Sequence, residues 1–243
     1  DPAVIGEAPH AWVRLGAAAE TLGLLRVEGV TEIVMAGPVR RPSLRELRPD
    51  GRAARFLARG MLKRGDDGLL GAVVRALEEE EGFRIVGTDS ILTDLRATTG
   101  AFGKCRPDDA ANADIARGVE VVRRIGELDI GQAAVVRDGI VLGVEAAEGT
   151  AGLLARLVPF RAPERGGVLV KLAKPNQERR ADMPTIGPDT VTGAEAAGLS
   201  GIAVMTGATL VIDRAETVAR ADAAGLFVCG IRPADYVADY EAG

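Results

Sequence analysis

The chain has 243 residues, of which 47% are hydrophobic and 27% are charged, so it is long enough to bury the core of one large domain or two smaller ones. A formal net charge of −5 and only 3% aromatic residues argue against a nucleic-acid-binding protein, which needs a basic face and rings that stack on bases. His10 is the only histidine, so acid–base and metal chemistry falls to Asp, Glu and Lys, and carboxylate oxygens suit a hard cation such as Mg²⁺.

The first part of the chain alternates predicted helices and strands. A helical pattern feeds an apolar strand, TEIVMAG, and a helix feeding a buried strand predicts a parallel α/β sheet whose earlier strand is expected to be missing from this sequence. Ser43 and Glu46 have the spacing of a capping box for a short helix. The predicted helices lie at residues 13–30, 52–65 and 66–82, and the strands at 31–37 and 83–87.

Between Thr98 and Pro107 the pattern loses its periodicity, which predicts a domain boundary after residue 103. The second domain, 104–243, begins with an amphipathic helix and continues with two strands joined at Asp138-Gly139, a strong hairpin signal. A helix, a buried strand and a closing alternation of strands and helices follow. Because a hairpin lies among them, the sheet of this domain is predicted to be mixed rather than purely parallel.

The segment VLVKLAKPNQERRADMPTIGPDT starts as a buried strand and then becomes a strongly charged loop. Lys171 and Lys174 stand at the end of that strand, where α/β sheets bind ligands, and two lysines there suit an anion. Asp182 follows, two residues before Pro184, in a loop stiffened by proline. Asp182 is therefore either a functional carboxylate or a solvated loop residue.

The segment VEAAEGTAGLL forms a second candidate loop. Glu145 ends a predicted strand, and Glu148 and Thr150 open a helix, with Thr150 as the expected N-cap. Two carboxylates beside a helix N-terminus are compatible with a phosphate bridged by a metal ion, and equally with a simple capped helix.

The segment LKRGDDGLL forms a third candidate loop. Lys63 and Arg64 directly precede Asp66 and Asp67. Exposed amides beside two cations describe an anion pocket. The alternative is structural: Asp66 caps a helix and the acidic pair favours the positive end of its dipole.

Several of these segments together carry a family resemblance. They are MAGPVRRPSL, LKRGDDGLL, GKCRPDDAANADIARG, GELDIGQAAVVRDGIVLGVEAAEGT and KLAKPNQERRADMPTIGPDTV. In this order, from about Glu32 to the C-terminus, they resemble the LpxI-type UDP-2,3-diacylglucosamine pyrophosphatases of lipid A biosynthesis. The resemblance implies an N-terminal Rossmann-like domain at 1–103, a smaller C-terminal catalytic α/β domain at 104–243, and a lipid held between them.

The resemblance also implies an activity and a set of site residues. The activity is Mg²⁺-dependent hydrolysis of the diphosphate of UDP-2,3-diacylglucosamine, which releases UMP and the lipid 1-phosphate called lipid X. The family's Asp-x-Pro-Thr-Ile-Gly segment matches this chain from Asp182 onward. Catalytic roles are implied for Asp182 and Lys171, metal binding for Asp182 and Glu148, and substrate contacts for Lys174, Gln177, Thr150, Asp66, Asp67 and Thr185.

The expected partners are the lipid-linked UDP-sugar, the inner face of the inner membrane and a second copy of the chain in a homodimer. The chain has no apolar run of 18 residues and no signal peptide pattern, which favours a cytoplasmic, peripheral protein. The apolar residues of AGLLARLVPF are candidates for a trough that holds the acyl chains, although such helix faces are more often core. The competing functions are a non-catalytic lipid or nucleotide carrier and a nucleotide-dependent transferase.

Overall fold

The computed structural model describes residues 6, 8–37, 47–60, 66–175 and 177–238, without the side chains of residues 57, 59, 60 and 66–69. The chain divides into two compact units, Asp1–Val86 and Gly87–Gly243. The boundary predicted after residue 103 lies later than this division, because the strand Gly100–Ala101 already pairs within the sheet of the second unit. The C-terminal unit, expected to be the smaller one, is the longer of the two.

The described part of the first unit contains helices around one pair of parallel strands. The helices are α1 (Ala18–Val27), α2 (Gly51–Gly60) and α3 (Asp66–Arg75), which continues as a π-helix (Ala76–Glu80). The strands are β1 (Glu32–Val34) and β2 (Arg84–Val86). Gly82 ends the π-helix with a φ of +77°, a conformation that glycine adopts without strain. Both predicted strands are confirmed, whereas the predicted capping box at Ser43 and Glu46 lies outside the described residues.

The second unit contains most of the regular structure. Its helices are α4 (Thr88–Ile91), α5 (Asp109–Glu127), α6 (Gly149–Leu157), α7 (Pro188–Ala196) and α8 (Arg214–Ala223), with 3-10 turns at Thr93–Leu95, Val158–Phe160 and Pro233–Asp235. Its strands are β3 (Gly100–Ala101), β4 (Ala133–Arg137), β5 (Ile140–Val144), β6 (Val168–Lys171), β7 (Thr185–Ile186), β8 (Gly201–Met205), β9 (Leu210–Val211) and β10 (Phe227–Ile231). No helix in the described ranges combines the length and apolar character that a membrane span requires.

Six of these strands form one mixed sheet in the order β3-β10-β8-β6-β4-β5. The three central strands β10, β8 and β6 run parallel, and β4 turns the direction by pairing antiparallel with β6. The hairpin between β4 and β5 turns at Asp138 and Gly139, whose φ values of 51° and 74° are those that a two-residue hairpin turn requires. The predicted mixed sheet and its Asp-Gly hairpin are confirmed.

Helices cover both faces of this sheet. On one face, α5 packs on β4 and β6 through Ile115, Val119 and Val122, in contact with side chains such as Val170. On the other face, α6, α7 and α8 enclose a second apolar cluster that includes Leu153. The sheet is therefore the middle of three layers, and a polar side chain on its inner strands is buried unless it lies at a strand end.

Candidate active site

The register of three neighbouring strands brings polar side chains into one row. Lys171, the last residue of β6, lies opposite Ala133 of β4. On the other side of Ala133, the backbone N–H of Glu145 donates to the Ala133 carbonyl at 2.8 Å, one residue beyond the last pair of β4 and β5. Directly opposite residues of antiparallel strands point to the same face, so Lys171 and Glu145 lie on the α6 side of the sheet.

Lys171 is a buried lysine held by a threonine. Its side chain is 5% exposed, and Nζ donates to Oγ1 of Thr150 at 2.6 Å. Burial lowers the pKa of Lys171 below its ordinary value of 10.5, while the negative charges of Glu145 and Asp182 act in the opposite direction. In its protonated form this lysine places a positive charge at a desolvated strand end, where its field on an anion is strong.

Glu145 is the buried acid of this arrangement. The residue is 6% exposed, and its Oε1 accepts a hydrogen bond from the Thr150 hydroxyl at 3.1 Å. Its other oxygen, Oε2, is buried and has no hydrogen-bond partner in the described part of the chain. A buried carboxylate oxygen without a donor is unusual in a folded protein and indicates that a cation or another group belongs beside it.

Asp182 is oriented by a glutamine amide. Nε2 of Gln177 donates to Oδ2 of Asp182 at 2.8 Å, and the same nitrogen lies 3.4 Å from Oε1 of Gln132. Oε1 of Gln177 in turn accepts from the backbone N–H of Lys174 at 3.1 Å. The half-buried Asp182 is thus fixed in a polar setting, which is not that of a freely solvated loop carboxylate.

Lys174 points to a different acid. Its Nζ forms an ion pair with Oδ1 of Asp129 at 2.6 Å, with side chains 11% and 21% exposed. Asp129 has a φ of +53°, and its Oδ2 is buried without a partner in the described part of the chain. We call Lys171, Thr150, Glu145, Gln177 and Asp182 the lysine network, and the Lys174–Asp129 pair is joined to it through Gln177.

Some predicted residues lie elsewhere. Glu148 is paired with Arg156 at 3.1 Å, and its side chain keeps 33% of its surface exposed. The prediction that Thr150 caps α6 is wrong. The helix begins at Gly149, and its N-cap residue is Glu148, whose side chain makes no capping hydrogen bond. The Thr150 hydroxyl instead accepts a hydrogen bond from Lys171 and donates one to Glu145. Asp66 and Asp67 begin α3, but their side chains lie outside the described part of the chain.

Thr185 lies beside the lysine network rather than in it. It lines a concavity of about 410 Å³ together with the first turn of α7 and part of α8, and its hydroxyl donates to the Met183 carbonyl at 3.1 Å. None of the five residues of the lysine network lines this concavity. A substrate contact from Thr185 would therefore be made at the margin of the network.

Sequence reasoning missed two functional candidates, Asp129 and Gln132, and named Glu145 only as one of two loop carboxylates compatible with a metal-bridged phosphate. The predicted metal ligands were Asp182 and Glu148 without Glu145, although the hairpin at Asp138-Gly139 implies that residues at the two hairpin ends meet. Ala133, the first residue of β4, and Glu145, directly after β5, are such a pair. Counting outward from the turn would have placed Glu145 near the start of β4, but not near Lys171, which depends on the pairing of β4 with β6.

The donor atoms fit a magnesium ion in part. No group of three Asp, Glu, Cys or His side chains converges among the described residues, so the described chain does not form an all-protein cage. Mg²⁺ often takes one or two carboxylates and fills its other positions with water and substrate phosphate. The partnerless Oε2 of Glu145 and the oriented carboxylate of Asp182, both close enough to influence the charge of Lys171, fit that smaller requirement.

Comparisons with known proteins agree on one family. A family model of the LpxI N-terminal domain matches residues 1–95, and one of the LpxI C-terminal domain matches residues 98–229. A relative from Caulobacter vibrioides, named UDP-2,3-diacylglucosamine pyrophosphatase LpxI, is 42% identical over 233 residues, which cover 93% of this chain and 83% of the relative. The lysine network lies within the residues that the C-terminal model matches.

Proposed function

This chain belongs to the LpxI family, and on that premise we propose that it hydrolyses the diphosphate of UDP-2,3-diacylglucosamine to UMP and 2,3-diacylglucosamine 1-phosphate, a step of lipid A biosynthesis. The observation that carries the proposal is the buried Lys171 at the end of β6, held by Thr150 and facing the charges of Glu145 and Asp182. A cation and carboxylates at one strand end supply both signs of charge that phosphoanhydride cleavage needs.

The lysines bind and neutralise the diphosphate. A diphosphate diester carries about two negative charges, which repel an attacking oxygen and resist further charge on the departing phosphate. The ammonium of Lys171 is fixed by Thr150 before substrate arrives, so little reorganisation is needed when charge develops. Lys174, fixed by Asp129, supplies a second cation on the same loop.

Asp182 prepares the attack. Gln177 donates to Oδ2 and so fixes the plane of the carboxylate, which then orients the attacking water by accepting its hydrogen bond. Asp182 would also hold a Mg²⁺ ion, which when bound supplies positive charge to the phosphate oxygens and makes water more acidic. Because Asp182 orients the water and a bound Mg²⁺ would make it more acidic, the reaction needs no histidine as a base, in a chain that has a single histidine.

The acyl chains require an apolar surface and bring the protein to the inner face of the membrane. Leu153, Leu154 and Leu157 were candidates for a trough, but all three are buried in the core of the second unit and are unavailable to a lipid. Val158 and Phe160, which follow them, are 41% and 80% exposed. Each methylene moved from water to an apolar site contributes about 0.8 kcal/mol, so even a partial acyl site contributes strongly to binding.

The direct test is product analysis with the full chain. Incubation with UDP-2,3-diacylglucosamine and Mg²⁺ is expected to yield UMP and lipid X in equal amounts, and removal of divalent cations with EDTA should stop the release of UMP. Binding of the substrate without any UMP release would identify a carrier instead. Turnover that survives EDTA would contradict the assignment of Mg²⁺. The homodimer remains a prediction, which analytical ultracentrifugation of the full chain tests.

A further inference from the structure

We propose that Glu145 is the second carboxylate ligand of the divalent cation, a role that rests on the proposed function. The starting observation is its Oε2, a buried oxygen without a hydrogen-bond partner in the described part of the chain, on a residue that is only 6% exposed. Leaving a carboxylate oxygen in that state is costly, because the group has lost water and gained nothing in return.

A purely structural glutamate does not account for this environment. The Thr150 hydroxyl donates to Oε1 and accepts a hydrogen bond from Nζ of Lys171, and no donor among the described residues hydrogen-bonds to Oε2. A glutamate kept only for packing or for pairing with Lys171 would be expected to have both oxygens satisfied. The free Oε2 is the acceptor that a cation would use.

The position of Glu145 supports the same assignment. Glu145 and Asp182 both act on the charge of Lys171, so the two carboxylates belong to one electrostatic environment. Two carboxylates are enough for Mg²⁺ when water and phosphate oxygens complete its shell.

Glu148, the other acid of this loop, is a weaker candidate. Its Oε1 is already paired with Arg156 at 3.1 Å, and the side chain is partly exposed on the outside of α6. Glu148 lies three positions after Glu145, so the two acids form a matched pair of variants in one loop. They differ in burial and in partners: Glu145 is buried and hydrogen-bonded to Thr150, whereas Glu148 is partly exposed and paired with Arg156.

Mn²⁺ is a suitable probe because the sharp electron paramagnetic resonance signal of the free ion is lost on binding. The full chain is titrated with Mn²⁺ alone, as wild type, Glu145→Gln and Glu148→Gln. We expect Glu145→Gln to weaken Mn²⁺ binding at least about tenfold and Glu148→Gln to stay within about twofold, since even outer-shell partners of a metal change its affinity by about ten to a hundredfold. Equal Mn²⁺ affinity in wild type and Glu145→Gln overturns the proposal, as does a wild type that binds no Mn²⁺.

Circular dichroism shows whether the Glu145→Gln variant folds. If it does not fold, a second measurement on the wild type tests the same proposal. Wild-type crystals soaked in Mn²⁺ should show anomalous density within coordination distance of Glu145 Oε2, and density at Glu148 or at neither residue overturns the proposal. UMP release by the wild type is measured in parallel. A protein that binds Mn²⁺ through Glu145 but releases no UMP refutes the proposed reaction and retains the metal site.

Discussion

Lys171 ends its strand in a place that water barely reaches. Burial disfavours the ammonium form and lowers the pKa of Lys171, and the nearby acids Glu145 and Asp182 only partly restore it. Between the lowered value and the ordinary 10.5, the unfolded chain binds a proton that the folded protein has released. The contribution of Lys171 to the free energy of unfolding therefore rises with pH across that window, and at lower pH the folded protein bears the full cost of the buried charge.

Loss of the Lys171 proton should have the opposite effect on catalysis: it stabilises the fold but should slow the release of UMP. Because the proposed role of Lys171 needs its positive charge, the rate of UMP release by the wild type should fall as pH rises through the lowered pKa. Arginine stays protonated throughout this range, so Lys171→Arg should lose the alkaline fall or move it to higher pH, whatever its maximal rate. A pH–rate profile of both proteins checks this, and an alkaline fall at the same pH in both would show that another group causes it.

Asp129 is the second residue whose environment predicts a measurable effect. It has an uncommon positive φ for a residue other than glycine and forms the 2.6 Å ion pair with Lys174. Asparagine tolerates the same backbone conformation, so Asp129→Asn removes the charge and little else. We expect the free energy of unfolding, measured with urea, to fall by about 2 kcal/mol, because a largely buried cation loses its carboxylate partner.

Asp138 provides the matched control for that variant. It also has a positive φ, at 51°, but its side chain is 79% exposed and its contact with Arg137 is longer, at 3.4 Å. Asp138→Asn should change the free energy of unfolding by less than about 0.5 kcal/mol. Equal losses in the two variants would mean that backbone conformation, and not the ion pair, determines the effect.

Helix α5 approaches strand β6 closely at a glycine. A Cβ atom at Gly118 would lie 2.4 Å from Cγ2 of Val170, which is fully buried, so alanine at this position forces the helix away from the strand or distorts Val170. Overpacking of this kind costs about 1–3 kcal/mol. Gly118→Ala should therefore lower the midpoint of urea unfolding, and its effect should extend to β6, which ends at Lys171.

Gly23, in α1, is the control for the intrinsic preference of alanine for helices. Apart from its chain neighbours and the backbone of its own helix, no atom of the described residues lies within 4 Å of a Cβ built there, and its φ is not in the left-handed region. Gly23→Ala should stabilise the helix by about 0.5–1 kcal/mol, the ordinary gain of alanine over glycine. An increase in stability at Gly118 as well would show that Val170 relaxes and that the close approach of α5 is not required.

Local signals predicted the elements better than they predicted the site. The Asp138-Gly139 turn and the apolar run of β6 are encoded within a few residues, and both are confirmed. Thr150 shows what local sequence cannot predict. A threonine at this position could cap the helix or bind a lysine, and its role as a partner of Lys171 depends on where the fold places that lysine. Glu145 could not be distinguished from Glu148 by sequence, since the difference arises from which strands pair.

For the molecule as a whole, the sequence pattern predicted the class of fold but not the order of the strands. Alternating helices and strands predicted a mixed α/β protein in two parts, which is confirmed, while its strand order follows from pairings between residues far apart in sequence, such as Val170 with Ala203. Among the described residues, the two apolar clusters that cover the large sheet consist of residues of the second unit. The sheet that positions Lys171 thus has its own core, and the lysine network belongs entirely to that unit.

In the proposed reaction, one carboxylate, Asp182, fixed by Gln177 and close enough to influence the charge of the buried Lys171, drives cleavage of the diphosphate. Asp182→Asn preserves the shape of the side chain and removes its charge, and Asp109→Asn, at the exposed start of α5, is the control. The decisive measurement is single-turnover release of UMP from UDP-2,3-diacylglucosamine. Asp182→Asn should be slower by at least about 100-fold while still binding the substrate, and Asp109→Asn should match the wild type; UMP release by Asp182→Asn at the wild-type rate would contradict the account.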